Sequence, residues 1–440
     1  MSQNARLHSS RIPGARRRNC APWSTVAGAA LGMLAASLSW SAGTSVPTIS
    51  DNGYPPVQEG PPPKTGLSAL SYDSEYPVIG YSGTPVHNRI ARLQTRLLGG
   101  QAKLEFKPPR GYLDSVLKNL GIDPSSQMLV YSKSSLQVQW VNAAAPRAIY
   151  FNDEVAVGWV PGGDGMEVAA SDPMQGAVFY TFRDGALTRR EECLHCHDGA
   201  STMGVPGMFV GSVFPDRTGA PARTGAIITD HRTPFADRWG GWYVTAAGGE
   251  QRDRANAVAL DPAEPLVLAT EARQNLRTLT REFDVSRYLA PTSDIVALMT
   301  FEHQTQMANL LTRLAWDARS GLPLEADLKT TADYMLFVDE ALLAEPITGV
   351  STFTETFPQR GPRDRKGRSL RDFDLRTRLF RYPLSYLIYG RKFDALPESV
   401  KGPLYRRLYD SLTAAGRHDI IEIVRNTKSS LPAYWRERVE

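Results

Sequence analysis

Cysteine is scarce in this chain. Three thiols stand among 440 residues, Cys20, Cys193 and Cys196. That is too few for a disulfide-stapled module or for a zinc site built from four thiolates. Acid is missing from the start: residues 1–18 hold Arg6, Arg11, Arg16, Arg17 and Arg18 without one Asp or Glu, and no charge of either sign follows until Asp51. No segment recurs at a fixed period, which excludes a solenoid. A true excess of positive charge is also lacking. The net +4 comes from 50 Lys and Arg against 46 Asp and Glu, and removing the five N-terminal arginines leaves 45 against 46. A nucleic-acid partner therefore has no support. What the chain does have is 42% hydrophobic residues, enough to bury a core without disulfides, and a length that suggests about two or three domains.

The N-terminus reads as an export signal, residues 1–43: an arginine cluster, then the Ala/Leu-rich run Val26 to Leu38, then small residues at Ser41-Ala42-Gly43. This predicts a periplasmic protein in a bacterium. The alternative is retention in the membrane by residues 23–46, although Ala, Gly and Ser make that stretch only mildly apolar. Residues 44–66, with Pro55-Pro56 and Pro61-Pro62-Pro63, read as an extended linker.

Further along, the pattern predicts an α+β fold. A β-rich domain is expected over 67–185. It opens with a helix near 111–120, then strands at 128–131, 136–141, 148–151, 155–160, 167–170 and 177–182, separated by turn residues. Gly162-Gly163-Asp164-Gly165 reads as a hairpin turn, since it lacks the Lys and helix of a phosphate loop and the ligand spacing of a calcium loop. A region carrying the chemistry follows at 186–345. It includes a strand near Trp239–Val244, a long helix over 294–318 with Ser293 as cap, and a second helix over 325–343. A basic helical region is expected over 346–440. From residue 360 onward 19 basic residues face 10 acidic ones. Such a region suits a solvated face, or docking to an acidic redox partner or an anionic membrane surface.

Cys193-Leu194-His195-Cys196-His197 is a C-x-x-C-H motif, the pattern for covalent attachment of a c-type haem. Two thiols three residues apart on one helical turn reach the two vinyl groups of one porphyrin, and the adjacent histidine falls under the iron. If Cys20 leaves with the signal, every remaining cysteine belongs to the motif. A thiol oxidoreductase shares the C-x-x-C spacing, and a zinc site could use the same side chains.

On these residues the chain resembles the c-type cytochromes. The resemblance covers Cys193, Cys196, His197 and the export signal. It implies one haem c, held by thioethers from Cys193 and Cys196, with His197 as proximal ligand. Small cytochromes carry the motif near their start, and dihaem peroxidases carry two copies. Here one copy sits mid-chain, so no peroxidase activity transfers.

The sixth iron position separates electron transfer from catalysis. His303 is the leading distal candidate, because it lies mid-stripe on the helix over 294–318 between Met299 and Met307. The competing reading is a hydrogen-bonded core histidine. Met203 and Met208, just past the motif, suit packing better than ligation. His231 is a further candidate, and the Pro206 carbonyl is the expected acceptor for the second ring nitrogen of His197. The expectation is an electron carrier. The alternatives are a haem-dependent oxidoreductase with an exchangeable distal site and a haem-based small-ligand sensor.

Overall fold

Polar caps and buried stripes set the first elements. The computed structural model describes residues 78–221, 226–247, 252–261, 264–268 and 275–436. The expected signal and linker lie outside these residues. Helix α1 (Arg89–Leu98) starts at Asn88, whose side-chain oxygen accepts the N–H groups of Ile90 and Ala91 at 3.0 Å. Helix α2 (Leu113–Leu120) ends at Gly121 in the left-handed conformation. Both lay their apolar stripes on a sheet.

The strands are β1 (Met128–Val130), β2 (Arg147–Phe151), β3 (Val155–Trp159), β4 (Met166–Asp172), β5 (Gly176–Arg183) and β6 (Ala186–Arg189). The motif helix α3 (Leu194–His197) comes next, followed by the short strands β7 (Val210–Ser212), β8 (Ile227–Thr229) and β9 (Trp242–Tyr243), then β10 (Ala259–Asp261) and β11 (Glu264–Leu268). Among the described residues, seven strands pair antiparallel in the order β6-β5-β4-β3-β2-β1-β9, and β7-β8 and β10-β11 form two separate pairs. Strand β9 brings the region after the motif onto the same sheet as the expected β-rich domain.

The helical half contains α4 (Ile295–Arg319), α5 (Glu325–Met335), α6 (Phe353–Gln359), α7 (Arg391–Asp394), α8 (Glu398–Ala414), α9 (His418–Thr427) and α10 (Ala433–Arg436). The architecture is α+β, with the sheet between two helical layers. Strand alternation assigns its faces. Tyr150, Val157, Val168 and Tyr180 pack with α1 and α2. Ile149, Phe151 and Ala156 point the other way and join a core with α4 and the C-terminal helices. No helix among the described residues is long and apolar enough to cross a membrane.

Several expectations shift. The segment 136–141 is turns rather than a strand. Leu136 and Val138 are exposed while Gln137 between them is buried, so the apolar/polar alternation runs inside out. The cap of α4 is Asp294, which accepts the N–H groups of Val296 and Ala297; Ser293 instead accepts the Leu129 N–H at 2.9 Å. Helix α5 stops at Met335, and Phe337 and Asp339 beyond it have positive φ. Residues 361–381 contain no helix. Much of their charge pairs within the chain: Arg363 with Asp372, Lys366 and Arg368 with Glu422, Arg371 with Asp153, and Arg378 with Glu340. Arg365, Arg376 and Arg381 are exposed.

Candidate functional site

Strand β6 delivers the chain through Arg190 into a single turn of 3-10 helix, Glu191–Cys193, which continues as α3. The motif therefore lies on consecutive helical turns. Leu194 is fully buried and anchors this turn with Phe179, Val205 and Trp316; Cys193 packs at the edge of that cluster. Both thiols are free, Cys193 half-buried and Cys196 exposed. Burial, with Glu167 and Glu192 nearby, pushes the Cys193 thiol up to about 11.

His197 is held from three sides. Its ring lies between Phe179 of β5, 4.7 Å away, and Phe209, 5.2 Å away. The Gly207 carbonyl accepts from Nδ1 at 2.9 Å, and the Gly207 N–H donates back to the His197 carbonyl at 2.9 Å. The acceptor is thus one residue beyond the expected Pro206, whose carbonyl takes the Ala177 N–H of β5 instead. Among the described residues Nε2 has no hydrogen-bond partner. Burial, with Arg147 nearby, pushes the imidazole down to about 4 against the pull of the Gly207 carbonyl, so the ring is neutral at pH 7.

The return loop is pinned to α4. Asn309 donates to the Met208 carbonyl at 2.8 Å, and Arg313 donates to the Met203 carbonyl at 3.3 Å. Gly207 is required where it stands, because a Cβ there would overlap the Asn309 side-chain oxygen. Met203 accepts at its sulfur from Gln306, and Met208 packs partly buried between two apolar clusters.

These residues fit a c-type haem. The set comprises two free thiols on one helical turn, a neutral imidazole with Nδ1 fixed by a carbonyl and Nε2 uncommitted, and two aromatic rings that set its orientation. No group of three or more His, Cys, Asp or Glu that could hold a bare metal ion exists among the described residues.

His303 is placed elsewhere. It is fully buried on α4, with Nδ1 3.0 Å from Nδ1 of His231 and Nε2 2.8 Å from the Ser385 hydroxyl. It also stacks on Tyr334 and Phe337. Both ring nitrogens are therefore committed, and none of these partners belongs to the segment 190–209. The expected distal ligand is here a core histidine, hydrogen-bonded to a second histidine and a serine. Beside it Glu302, fully buried, accepts from Thr229 at 2.6 Å, Trp239 at 2.9 Å and Arg238 at 3.2 Å. Burial raises the Glu302 carboxyl despite these donors, and burial also holds His231 and His303 well below the usual imidazole range.

The C-x-x-C-H pattern names the thiols and His197, and it does not point to Phe179, Phe209 or Gly207, which surround the His197 ring. No local signal marks Phe179, which lies 18 residues upstream on β5. Comparison of the chain with protein-family models, with curated proteins and with solved structures finds no match.

Proposed function

We propose that this chain is an exported protein carrying one covalently bound haem c, with Cys193 and Cys196 as thioether anchors and His197 as proximal iron ligand, and that it transfers single electrons. The observation that carries the reading is the state of His197: Nδ1 is tied to the Gly207 carbonyl and Nε2 is uncommitted, beside two free thiols. A proximal ligand needs this arrangement, since the bond at the far nitrogen fixes tautomer and ring orientation.

Each thiol adds across one vinyl double bond. A carbon–sulfur bond forms at one vinyl carbon, the thiol hydrogen ends on the other, and no oxidant is consumed. Cys196 is exposed and Cys193 half-buried, so both are open to the maturation machinery outside the cytoplasm. When bound, the haem supplies a one-electron iron couple, and the chain supplies its axial imidazole and an apolar wall of Phe179 and Phe209.

One observation favours a second reading, a haem enzyme with an exchangeable sixth position. The leading distal candidate, His303, has both ring nitrogens engaged in the core. Co-expression with bacterial haem-maturation proteins, followed by mass analysis of the Cys193–His197 peptide, tests attachment. The expected result is the mass of one haem, lost in Cys193→Ala/Cys196→Ala; a peptide of unmodified mass overturns the proposal. Rapid CO binding by the ferrous protein would select the enzyme reading, and a CO-insensitive low-spin spectrum the electron carrier.

A further inference from the structure

The face of the sheet that carries the motif continues past it into a cavity. Ala169 and Phe179, direct cross-strand partners, belong to the apolar cluster around Leu194. Two residues along each strand, on the same face, come Glu167 and Thr181, and Thr181 in turn pairs with Thr188 of β6. This row lies in the wall of a cavity of about 280 Å³, which Leu136, Gln137 and Arg190 also line. At about 30 Å³ per water molecule the space holds roughly nine, the small end of ligand pockets. It suits a small molecule and excludes a folded peptide segment.

Two acceptors on these walls have no donor. Gln137 is 4% exposed, and its side-chain oxygen makes no hydrogen bond. Glu167 takes the Leu136 N–H at Oε1, 2.7 Å away. Its Oε2 is buried and stands 3.0 Å from the Arg147 guanidinium, yet it accepts no aligned hydrogen bond. One donor is in the same state, because Nε of Arg190 is buried without an acceptor. Thr181 and Thr188 add hydroxyls, which donate or accept. Buried polar atoms are rarely left unpaired, so three of them around one cavity call for a ligand that supplies both kinds of partner.

The charges around the cavity cancel. Glu167 faces Arg147 at 3.0 Å, Asp164 faces Arg183 at 2.6 Å, and Arg190 faces Glu192 at 2.9 Å. An ammonium would meet the guanidinium groups of Arg183 and Arg190, and a carboxylate would meet Asp164 and Glu167. Either ion would leave water without reaching an uncompensated counter-charge. A carboxamide is neutral and carries N–H donors beside a carbonyl acceptor. We propose that this cavity is a binding site for a small neutral carboxamide, whose NH2 group donates to Gln137 Oε1 and Glu167 Oε2 and whose carbonyl accepts from Arg190 Nε and the threonine hydroxyls. The site uses neither the thiols nor His197, so it stands apart from the haem reading.

The test uses the full-length protein produced with the haem-maturation proteins and three probes of similar shape but different charge: butyramide, butylammonium and butyrate. Saturation-transfer NMR detects weak binding of each, and titration ranks them. Butyramide is expected to bind about tenfold more tightly than either ion, and Gln137→Leu to weaken it by about tenfold, the effect of one hydrogen bond left unmade. Thr181→Val/Thr188→Val should weaken it by less, and Arg365→Gln, an exposed arginine of the C-terminal region, should leave it unchanged. If Gln137→Leu does not fold, the threonine pair decides by the same readout. Binding of either ion at least as tight as that of butyramide would overturn the proposal. So would no binding of any probe, which would leave water as the only occupant, or equal binding of butyramide by the wild type and the variants. Haem content is read by mass on the same samples, so failure of attachment and failure of amide binding are separate results.

Discussion

The chain keeps histidines in two contrasting settings. At the motif, His197 lies at the half-open edge of the sheet with one nitrogen tied to a carbonyl and the other uncommitted. Against α4, His231 and His303 sit in a closed cluster with Glu302, Arg238, Trp239, Tyr334 and Ser385, bonded to one another, with His303 also bonded to the serine. The helical wheel favours His303 as a ligand because it points into the core, but pointing inward is also how a structural histidine behaves. A free nitrogen alone does not mark a ligand either, because His231 is held at Nδ1 and has no partner at its buried Nε2; at His197 the free nitrogen stands beside two free thiols. The first setting leaves one imidazole nitrogen uncommitted at a half-buried position, and the second encloses its histidines fully, with Nε2 of His231 buried without a hydrogen-bond partner.

The strongest test of this contrast is to break each region and compare stabilities. Arg238 and Glu302 are 1% and 0% exposed at their side chains. Glu302→Ala leaves a buried guanidinium without its carboxylate, and such a break costs about 3–5 kcal/mol. Cys193→Ser/Cys196→Ser touches one exposed and one half-buried thiol, and should cost about 1 kcal/mol or less. Urea unfolding of the haem-free protein measures both. Equal losses would mean that the closed cluster is not the more structural of the two.

Gly207→Ala comes next in size. Its Cβ would meet Asn309 and the loop that holds His197, an overpacking that costs about 1–3 kcal/mol. The same change should perturb the Nδ1 environment of His197, read by imidazole nitrogen NMR. If Nδ1 does not move, Gly207 is not what orients the ring.

How far these regions could be read in advance follows from how local each is. The thiols and His197 lie within five residues, so one motif contains them. Strands β2 to β5 were legible because their residues alternate and turn residues separate them. The segment 136–141 alternates too, yet its apolar residues face out, and no pattern reveals which side of a segment is covered. The partners of His197 come from β5 and from the return loop, and the bonds of His303 come from 72 and 82 residues away. Such contacts exist only once the chain has folded. Helix α1 lies outside the expected elements, although Asn88 and the stripe Ile90, Leu93 and Leu97 mark it.

Acid should separate the regions further. His231 and His303 have folded-state pKa values well below the unfolded value. The unfolded chain therefore binds protons that the folded chain refuses once pH drops below about 6.5, and stability falls in that direction by up to about 1.4 kcal/mol per pH unit for each group. Glu302 is shifted the other way. It takes a proton more readily when folded, which opposes the loss in the mildly acidic range and hides part of it in the wild type. Comparison with His303→Gln exposes the histidine contribution: between pH 7 and 5 the wild type should lose stability relative to the variant. Parallel curves would mean that His303 does not titrate against the fold.

The smallest effect, and the one closest to function, is the difference between the two thiols before haem is attached. Cys196 is exposed, whereas Cys193 is half-buried and its thiol is pushed up to about 11 by burial and by the carboxylates of Glu167 and Glu192. Alkylation proceeds through the thiolate, so at pH 8 iodoacetamide should modify Cys196 well before Cys193 in the reduced, haem-free protein, as read by peptide mass over time. Glu167→Gln removes one of the charges that hold Cys193 protonated and should narrow the gap from the Cys193 side alone. Equal rates in the wild type would place both thiols in the same environment. The motif would then be an exposed loop, and its contrast with the closed cluster would be greater than the fold implies.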